Sequence, residues 1–359
     1  IPVEAIEVSR TEFDSMLRRE IDITLRRSGP SLTMSMLVYT PRSAANKPCP
    51  LFLGLNFGGN HTVDPNPSIR ITQSWVSNRR DETTNRNQAT SLGRGRAAKR
   101  WPIESIVDAG YGLATIHYSD IDPDFDDGFE NGMHGLFRDW AYDVPKLQRW
   151  GSIAAWAYGL SRAMDVLVDD PLVASDQVAV FGHSRLGKTA LWAGAMDERF
   201  ALVISNNSGC GGAALSRRAV GETVGKINRT FPHWFADEFN DYNENESELP
   251  VDQHQLISLI APRPVYVASA TKDRWADPKG EYLSALAASP VYRLFGLQGI
   301  SSSSRDDSMP PPDQSLQSGM IGYHLRSGKH DVTLYDWDQY IRFADRVMQP
   351  PPSATQHAN

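Results

Sequence analysis

Apolar runs rich in β-branched residues alternate along the chain with longer segments whose apolar positions recur at helical spacing. This alternation is typical of a mostly parallel sheet with helices packed on both faces. The runs that we predict to be strands are residues 21–25, 31–39, 50–55, 112–118, 178–181, 201–205, 264–268 and 331–335. The pattern therefore predicts an α/β fold, a three-layer αβα sandwich.

Two segments show the helical pattern most clearly. Residues 150–168 place Ile153, Trp156 and Leu160 on one face, and Pro171 follows as a stop signal. A second helix is predicted to begin at Leu186 and to run towards Met196.

Three long stretches lack this periodicity and are predicted to be loop insertions. They cover residues 56–100, 120–143 and 299–318, and the last of them contains the low-complexity run SSSSRDDSMPPPDQS. We therefore expect a single catalytic domain over residues 1–349 and a flexible tail over 350–359.

Composition excludes several classes of protein. The chain has 359 residues and a formal net charge of −7, which argues against nucleic acid as the main partner. No apolar run reaches the length of a membrane-spanning helix, and the first residues lack the features of a signal peptide. The only cysteines, Cys49 and Cys210, are too few for a disulfide framework.

Residues 181–190, FGHSRLGKTA, support two interpretations. The letters from Gly182 to Thr189 match G-x-x-x-x-G-K-[ST], the loop whose backbone N–H groups hold nucleotide phosphates. They also lie one residue away from G-x-S-x-G, the turn that presents the nucleophile of serine hydrolases. Both motifs join a strand to a helix, so the local pattern alone does not separate them.

The wider chain favours the hydrolase. A phosphate-binding loop needs a magnesium-binding acid after a neighbouring strand, whereas the strand predicted at 201–205 is followed by asparagines. An α/β-hydrolase instead requires the order serine, acid, histidine. Ser184 is followed by Asp273, after the strand at 264–268, and then by His330, in a glycine-marked turn before the last predicted strand. Asp277 and His324 are the alternatives for the last two roles.

We expect no metal or cofactor. The acidic segment 120–128 resembles a calcium-binding loop, but Asp127 stands where that loop requires glycine and Met133 where it requires glutamate. The segment is therefore predicted to be a solvated loop near the cleft. The histidines also form no zinc-binding pattern.

The second glycine, Gly187, comes three residues after Ser184 instead of two. In this form GHSRLGK resembles the G-[CH]-S-R-x-G-K signature of the glucuronoyl esterases, carbohydrate esterase family 15, whose bacterial members have histidine at the second position. Further similar stretches span most of the chain: LNFGGN at 55–60, WGSIAAWAYGLSR at 150–162, SNNSGCGG at 205–212, FPHWF at 231–235, DQH at 252–254, IAPRP at 260–264, WADP at 275–278 and GKH at 328–330.

The resemblance implies a metal-independent serine esterase with an α/β-hydrolase fold. Ser184 would be the nucleophile, His330 the general base and Arg185 the group that stabilises the oxyanion. Fungal relatives take the acid from a glutamate after the strand that follows the nucleophile, where this chain has Asn207. Asp273 is therefore the expected acid, with Asp277 as the alternative.

The resemblance also implies the substrate. Lys188, Glu222 and Trp275 would bind a uronate ring, and the ester would join 4-O-methyl-glucuronic acid on xylan to an alcohol of lignin. Such a substrate implies a secreted or periplasmic enzyme, expected to be a monomer that binds no membrane. The alternatives are another carbohydrate esterase such as an acetyl esterase, a nucleotide-binding protein, and a non-catalytic carbohydrate-binding protein.

Overall fold

The computed structural model describes residues 1–141, 143–300 and 308–348. Its strands, in chain order, are β1 (Val3–Glu12), β2 (Met16–Arg26), β3 (Ser31–Pro41), β4 (Cys49–Asn56), β5 (Thr84–Asn85), β6 (Gln88–Ala89), β7 (Gly112–His117), β8 (Val173–His183), β9 (Leu202–Asn206), β10 (Val265–Ala270), β11 (Ser315–Leu316) and β12 (Ile321–Arg326).

The α-helices, in the same order, are α1 (Ile103–Asp108), α2 (Tyr118–Ile121), α3 (Gly132–Leu136), α4 (Arg138–Ala141), α5 (Ser152–Val168), α6 (Arg185–Met196), α7 (Val224–Thr230), α8 (Gln253–Ser258), α9 (Pro278–Leu294) and α10 (Leu334–Val347). The helix predicted at 150–168 is confirmed as α5, and the one predicted at 186–196 is confirmed as α6.

One large sheet has the strand order β1-β2-β3-β7-β4-β8-β9-β10-β12-β11. The six strands from β7 to β12 in that order are parallel, while β1, β2 and β3 extend one edge and β11 the other in antiparallel fashion. Helices cover both faces of the parallel part, so central residues such as Val178, Ala179 and Val180 are fully buried. Two large apolar clusters form the core.

Seven of the predicted strands are confirmed, in β2, β3, β4, β7, β8, β9 and β10. The strand predicted at 331–335 is wrong, because Thr333 caps α10 there. Its side-chain hydroxyl and backbone N–H both donate to Asp336, at 2.8 and 2.7 Å. The last long strand is β12, so the turn that contains His330 follows a strand and leads into a helix.

The first two predicted insertions contain little regular structure. Residues 56–100 hold only the two-residue strands β5 and β6 and single turns of 3₁₀ helix, and 120–143 holds the short helices α3 and α4. The first seven of the fifteen residues of the low-complexity run, 301–307, and the tail at 350–359 lie outside the described residues. Within the described part of the chain, every helix is too short or too polar to cross a membrane.

Candidate active site

The turn between β8 and α6 holds Ser184 at a positive φ of 59°. A non-glycine residue rarely adopts this region, and it marks the sharp strand-to-helix turn that presents a nucleophile. A Cβ at Gly182 would lie 1.8 Å from the carbonyl oxygen of Leu186, so only glycine fits there. Gly187 lets α6 approach the end of β9, since a Cβ would come within 3.0 Å of the Ser208 side chain. The displaced second glycine thus meets a packing requirement.

Ser184 lines an open cavity of about 670 Å³ together with Arg185, His330 and residues of the first insertion. Although Ser184 is the residue before α6, its side chain makes no capping hydrogen bond to the helix. Its backbone N–H donates to the carbonyl of Asn206 at 2.9 Å, which fixes the turn to the end of β9. The hydroxyl is therefore not used as a helix cap.

His330 and Asp273 are brought together at the edge of this cavity. Asp273 follows β10, His330 follows β12, and Nδ1 of His330 lies 2.6 Å from Oδ2 of Asp273. The Asp273 side chain is buried, while that of His330 is 41% exposed. With Nδ1 bound to the carboxylate, Nε2 is the ring nitrogen that can take a proton from a substrate or from Ser184.

The alternative residues have other partners. Asp277 accepts hydrogen bonds from Nε and Nη2 of Arg218, at 2.7 and 3.3 Å, and stands directly before Pro278 at the start of α9. His324 is completely buried in β12, with Nε2 2.9 Å from Asp336 and Nδ1 3.0 Å from the Tyr266 hydroxyl. The structure places neither of them at the cavity.

His183, the residue before Ser184, packs against His330 with the ring centres 4.5 Å apart. Burial, followed by the positive charges of His330 and Arg100, lowers the pKa of His183 well below its usual range. Its Nδ1 lies 2.6 Å from Oδ1 of Asn206, which can only accept, so the neutral ring donates there. The His183 ring thus forms a neutral, fixed support for His330.

Arg185 begins α6, so its backbone N–H has no acceptor within the helix. Its guanidinium pairs with Asp124 and stacks on the ring of Trp234, with Cζ 4.5 Å from the ring centre. Nε1 of Trp234 donates to the same carboxylate at 2.7 Å, and Nε2 of His233 lies 2.9 Å from it. These contacts hold the guanidinium beside Ser184.

Asp124 was missed as a site residue, and the prediction of a solvated acidic loop is wrong for its first half. Asp120 and Asp122 are buried, and the Asp124 side chain is only 4% exposed. Burial opposes ionisation of Asp124, but the hydrogen bond from His233 and the charge of Arg185 together lower its pKa. Among the described residues no group of acids, histidines and cysteines is arranged to hold a metal ion.

Lys188, Glu222 and Trp275 form a connected group near Trp234, whose ring centre lies 5.9 Å from Nζ of Lys188. Nζ of Lys188 donates to the carbonyls of Ser208 and Cys210, at 2.6 and 2.7 Å, and to Oε2 of Glu222 at 3.1 Å. Nε1 of Trp275 donates to Oε1 of Glu222 at 3.2 Å, and its ring is 55% exposed. All three N–H bonds of Lys188 are thus used inside the protein, so Glu222 and Trp275 are the members with capacity for a ligand.

The same contacts bear on the phosphate-binding interpretation. In that motif the lysine reaches a nucleotide phosphate, whereas here its ammonium group is enclosed by two carbonyls and a carboxylate. The Thr189 hydroxyl donates to the Arg185 carbonyl within α6, at 3.0 Å, instead of facing a metal site. A nucleotide-binding role is therefore not favoured.

Asn207 and Glu281 lie behind the site. Asn207 is buried, and its Nδ2 donates to the carbonyl of Asp331 at 3.4 Å, next to His330. Glu281 of α9 accepts hydrogen bonds from the N–H groups of Ser208 and Gly209, at 2.7 and 3.0 Å, and from the Ser269 hydroxyl at 2.6 Å. Sequence reasoning missed Glu281, which ties the loop after β9 to β10.

The ionisation of Glu281 leads to a prediction about stability. Burial raises its pKa from 4.5 to about 7, so the protonated form stabilises the fold below pH 4.5 and this contribution is lost as the pH rises through 7. Glutamine does not ionise and keeps the shape. The free energy of unfolding of Glu281→Gln, measured in urea relative to the wild type, should therefore increase from pH 4.5 to pH 8 by up to about 3 kcal/mol.

The exposed Glu238 provides the matched control. Glu238→Gln should show the same difference from the wild type at both pH values. A pH-independent difference for Glu281→Gln as well would show that Glu281 titrates normally in the folded protein.

The fold and the relatives of the chain place it among the carboxylic ester hydrolases with an α/β-hydrolase fold. The family model described as fungal glucuronyl esterase matches residues 98–296. A relative from an unknown prokaryotic organism, carbohydrate esterase MZ0003, is 51% identical over 332 residues, covering 92% of this chain and 75% of that protein. The chain belongs to the glucuronoyl esterase family, carbohydrate esterase family 15.

Solved structures agree with this assignment. A promiscuous esterase of the same family from a marine bacterial metagenome superposes with a TM-score of 0.88 at 48% identity, over 96% of this chain and 85% of that one. A glucuronoyl esterase from Solibacter usitatus gives a TM-score of 0.86 at 44% identity, over 96% and 86%.

Fungal relatives are more distant. The 4-O-methyl-glucuronoyl methylesterase 1 of Wolfiporia cocos is 32% identical over 215 residues, which cover 56% of this chain and 52% of that protein. The match thus spans about half the length of this fungal relative.

Proposed function

We propose that this esterase hydrolyses esters of 4-O-methyl-glucuronic acid through a covalent acyl-enzyme on Ser184. The observation that carries the proposal is the contact of 2.6 Å between His330 and Asp273, at the edge of the cavity that also exposes Ser184. The substrate class is that named for the fungal relatives. Because such esters join xylan to lignin, which cells do not take up as polymers, we place the enzyme outside the cytoplasm, secreted or periplasmic.

In the acylation step, Oγ of Ser184 attacks the carbonyl carbon of the ester while Nε2 of His330 takes the hydroxyl proton. Asp273 holds the ring through Nδ1 and stabilises the imidazolium that forms. The bond from the carbonyl carbon to the alcohol oxygen then breaks, and the alcohol leaves with the proton held by His330.

In the deacylation step, a water molecule attacks the glucuronoyl ester of Ser184 and gives its proton to His330. Collapse of the second tetrahedral intermediate releases the glucuronic acid, and the proton on His330 returns to Oγ of Ser184. No metal takes part in either step of this proposal.

The oxyanion of both intermediates is stabilised by the Arg185 backbone N–H and by its guanidinium. Asp124, His233 and Trp234 fix that guanidinium before the substrate arrives, so little reorganisation is needed as charge develops. Glu222 and Trp275 offer a carboxylate and an exposed indole face, which suit the hydroxyls and the apolar face of a sugar ring. Lys188 orients Glu222.

We expect Arg185→Gln to lower kcat for benzyl glucuronate by about 10²–10³-fold, the usual cost of removing one oxyanion donor. The Arg185→Lys variant should recover only part of this loss, since an ammonium group lacks the planar fork that Asp124 and Trp234 hold. Steady-state kinetics of both variants check the prediction. Their melting temperatures show whether loss of the ion pair with Asp124 has destabilised the fold. A kcat unchanged by Arg185→Gln would contradict the role given to the guanidinium.

The substrate class is tested by comparing kcat/KM for benzyl glucuronate with kcat/KM for an acetyl ester. The proposal predicts a higher value for the glucuronate, because Glu222 and Trp275 bind an acyl group that is itself a sugar. The Ser184→Ala variant serves as the blank for both substrates. A clear preference for the acetyl ester would assign the chain to acetyl esterase activity instead.

A further inference from the structure

The cavity at Ser184 has an unusual excess of positive charge. Its lining contains five basic side chains, those of Arg79, Arg96, Lys99, Arg100 and Arg185, and only two carboxylates, those of Asp124 and Asp331. The whole chain, by contrast, has a formal charge of −7. A positively charged cleft on a negatively charged protein concentrates anions.

Both carboxylates are already neutralised. Asp124 pairs with Arg185, and Asp331 accepts a hydrogen bond from Nε of Arg100 at 2.6 Å. Within the part of the chain that the structure describes, Arg79, Arg96 and Lys99 form no ion pair, and all three side chains are exposed. They form what we term the basic trio.

Two members of the basic trio, Arg79 and Arg96, lie close enough to influence one another. Partial desolvation, followed by the charge of Arg79, lowers the pKa of Arg96, and Arg100 contributes in the same direction. The charge of Asp81 acts on both Arg79 and Arg96, but Asp81 is fully exposed, accepts hydrogen bonds from Thr83 and does not line the cavity. Within the cavity lining, the trio therefore has no carboxylate of its own.

The cavity that contains the basic trio is where the alcohol half of the ester must lie, because His330 is part of the same lining. His330 returns its proton to the leaving alcohol, so that alcohol lies next to His330, and the neighbouring Asp331 is paired with Arg100. Lys188, Glu222 and Trp275, which we propose for the sugar acid, do not line this cavity.

Aromatic side chains form another part of the lining. Phe57, Trp75, Tyr118 and Phe231 all line the cavity, and the Trp75 ring packs on that of Phe125 with 5.5 Å between the ring centres. An aromatic surface next to unpaired cations suits a ligand that combines an aromatic ring with an anionic group.

We propose that this cavity is the binding site for the alcohol half of the ester and that it prefers an aromatic alcohol with a carboxylate, which the basic trio recognises. The inference rests on the proposed function and specifies its substrate further. Recognition is electrostatic and hydrogen-bonded, so it weakens as salt screens the exposed cations.

The test compares two glucuronate esters, one of benzyl alcohol and one of 4-carboxybenzyl alcohol, at low ionic strength. We expect kcat/KM for the carboxylated ester to exceed that for the benzyl ester by about 10-fold, and the ratio to fall towards 1 as salt is added. In the variant with Arg79→Gln, Arg96→Gln and Lys99→Gln combined, the ratio should fall to about 1 without salt. Because both esters are assayed with the same enzyme sample, the ratio of their kcat/KM values does not depend on the fraction of enzyme that is folded.

Two controls make the result specific. Arg80→Gln removes an exposed arginine adjacent to Arg79 that does not line the cavity, and it should keep the wild-type ratio. The 4-carbamoylbenzyl ester has the same shape without the charge and should behave like the benzyl ester. A wild-type ratio of 1 or below, or a ratio unchanged in the combined variant, would overturn the inference. Failure of the proposed function is a different result, in which the wild type does not hydrolyse benzyl glucuronate.

Discussion

Ser184→Ala is expected to lower kcat for benzyl glucuronate by about 10⁶-fold, because the nucleophile and its base act as one unit and loss of either abolishes the covalent route. The residual rate would come from the oxyanion donors at Arg185 and from substrate binding. Initial rates at saturating substrate, measured with enzyme purified in parallel with the wild type, check the prediction.

The Ser184→Ala variant should fold normally. The Ser184 side chain makes no capping hydrogen bond, so alanine removes no contact that holds α6. An unchanged melting temperature together with lost activity therefore separates chemistry from stability. A rate within 10-fold of the wild type would exclude Ser184 as the nucleophile.

Asp273→Asn is expected to lower kcat by about 10⁴-fold with little change in fold. An asparagine whose NH₂ group faces Nδ1 of His330 favours the ring tautomer with its proton on Nε2, and this tautomer cannot accept the proton of Ser184. It also removes the charge that stabilises the imidazolium. Kinetics of the purified variant, with a circular dichroism spectrum as the check on folding, measure the effect.

Asp277→Asn is the matched control, since it removes a carboxylate four residues away that pairs with Arg218. We expect this variant to lose stability through the broken ion pair but to keep kcat within about 10-fold of the wild type. The opposite order, with Asp277→Asn the more damaging to kcat, would assign the triad acid to Asp277.

Much of the sheet could be predicted from the sequence because its central strands are buried on both faces and read as continuous apolar runs. The segment at 331–335 was misread because Val332 and Thr333 have the β-branched character of a strand. A capping interaction with Asp336 decides the outcome in favour of a helix. That capping pattern is visible in the letters TLYD, and it outweighs the local β propensity.

The nucleophile turn could be predicted from the sequence, because the end of the strand, the serine and the start of the helix lie within ten consecutive residues. The contacts of the Arg185 guanidinium could not be predicted in this way, since its carboxylate partner Asp124 comes from a loop 61 positions earlier in the chain. Only the folded chain brings this loop together with His233 and Trp234, whose side chains contact the same carboxylate.

The uronate-binding prediction shows the same limit. Helical spacing predicts that Lys188 points to the same side of the cleft as Ser184, but spacing does not reveal that two backbone carbonyls and Glu222 use all of its hydrogen-bond donors. Nor does it reveal Glu281, which is completely buried and acts on backbone N–H groups of the loop after β9. Contacts with backbone atoms leave little trace in residue types.

The most direct test of the account is stoichiometric labelling with a fluorophosphonate, followed by peptide mapping and an assay of benzyl glucuronate hydrolysis on the same sample. We expect that one equivalent of label abolishes hydrolysis and is found on Ser184, and that the Ser184→Ala variant takes up no label. Full labelling of Ser184 with hydrolysis retained, or inactivation with the label on another residue, would contradict it.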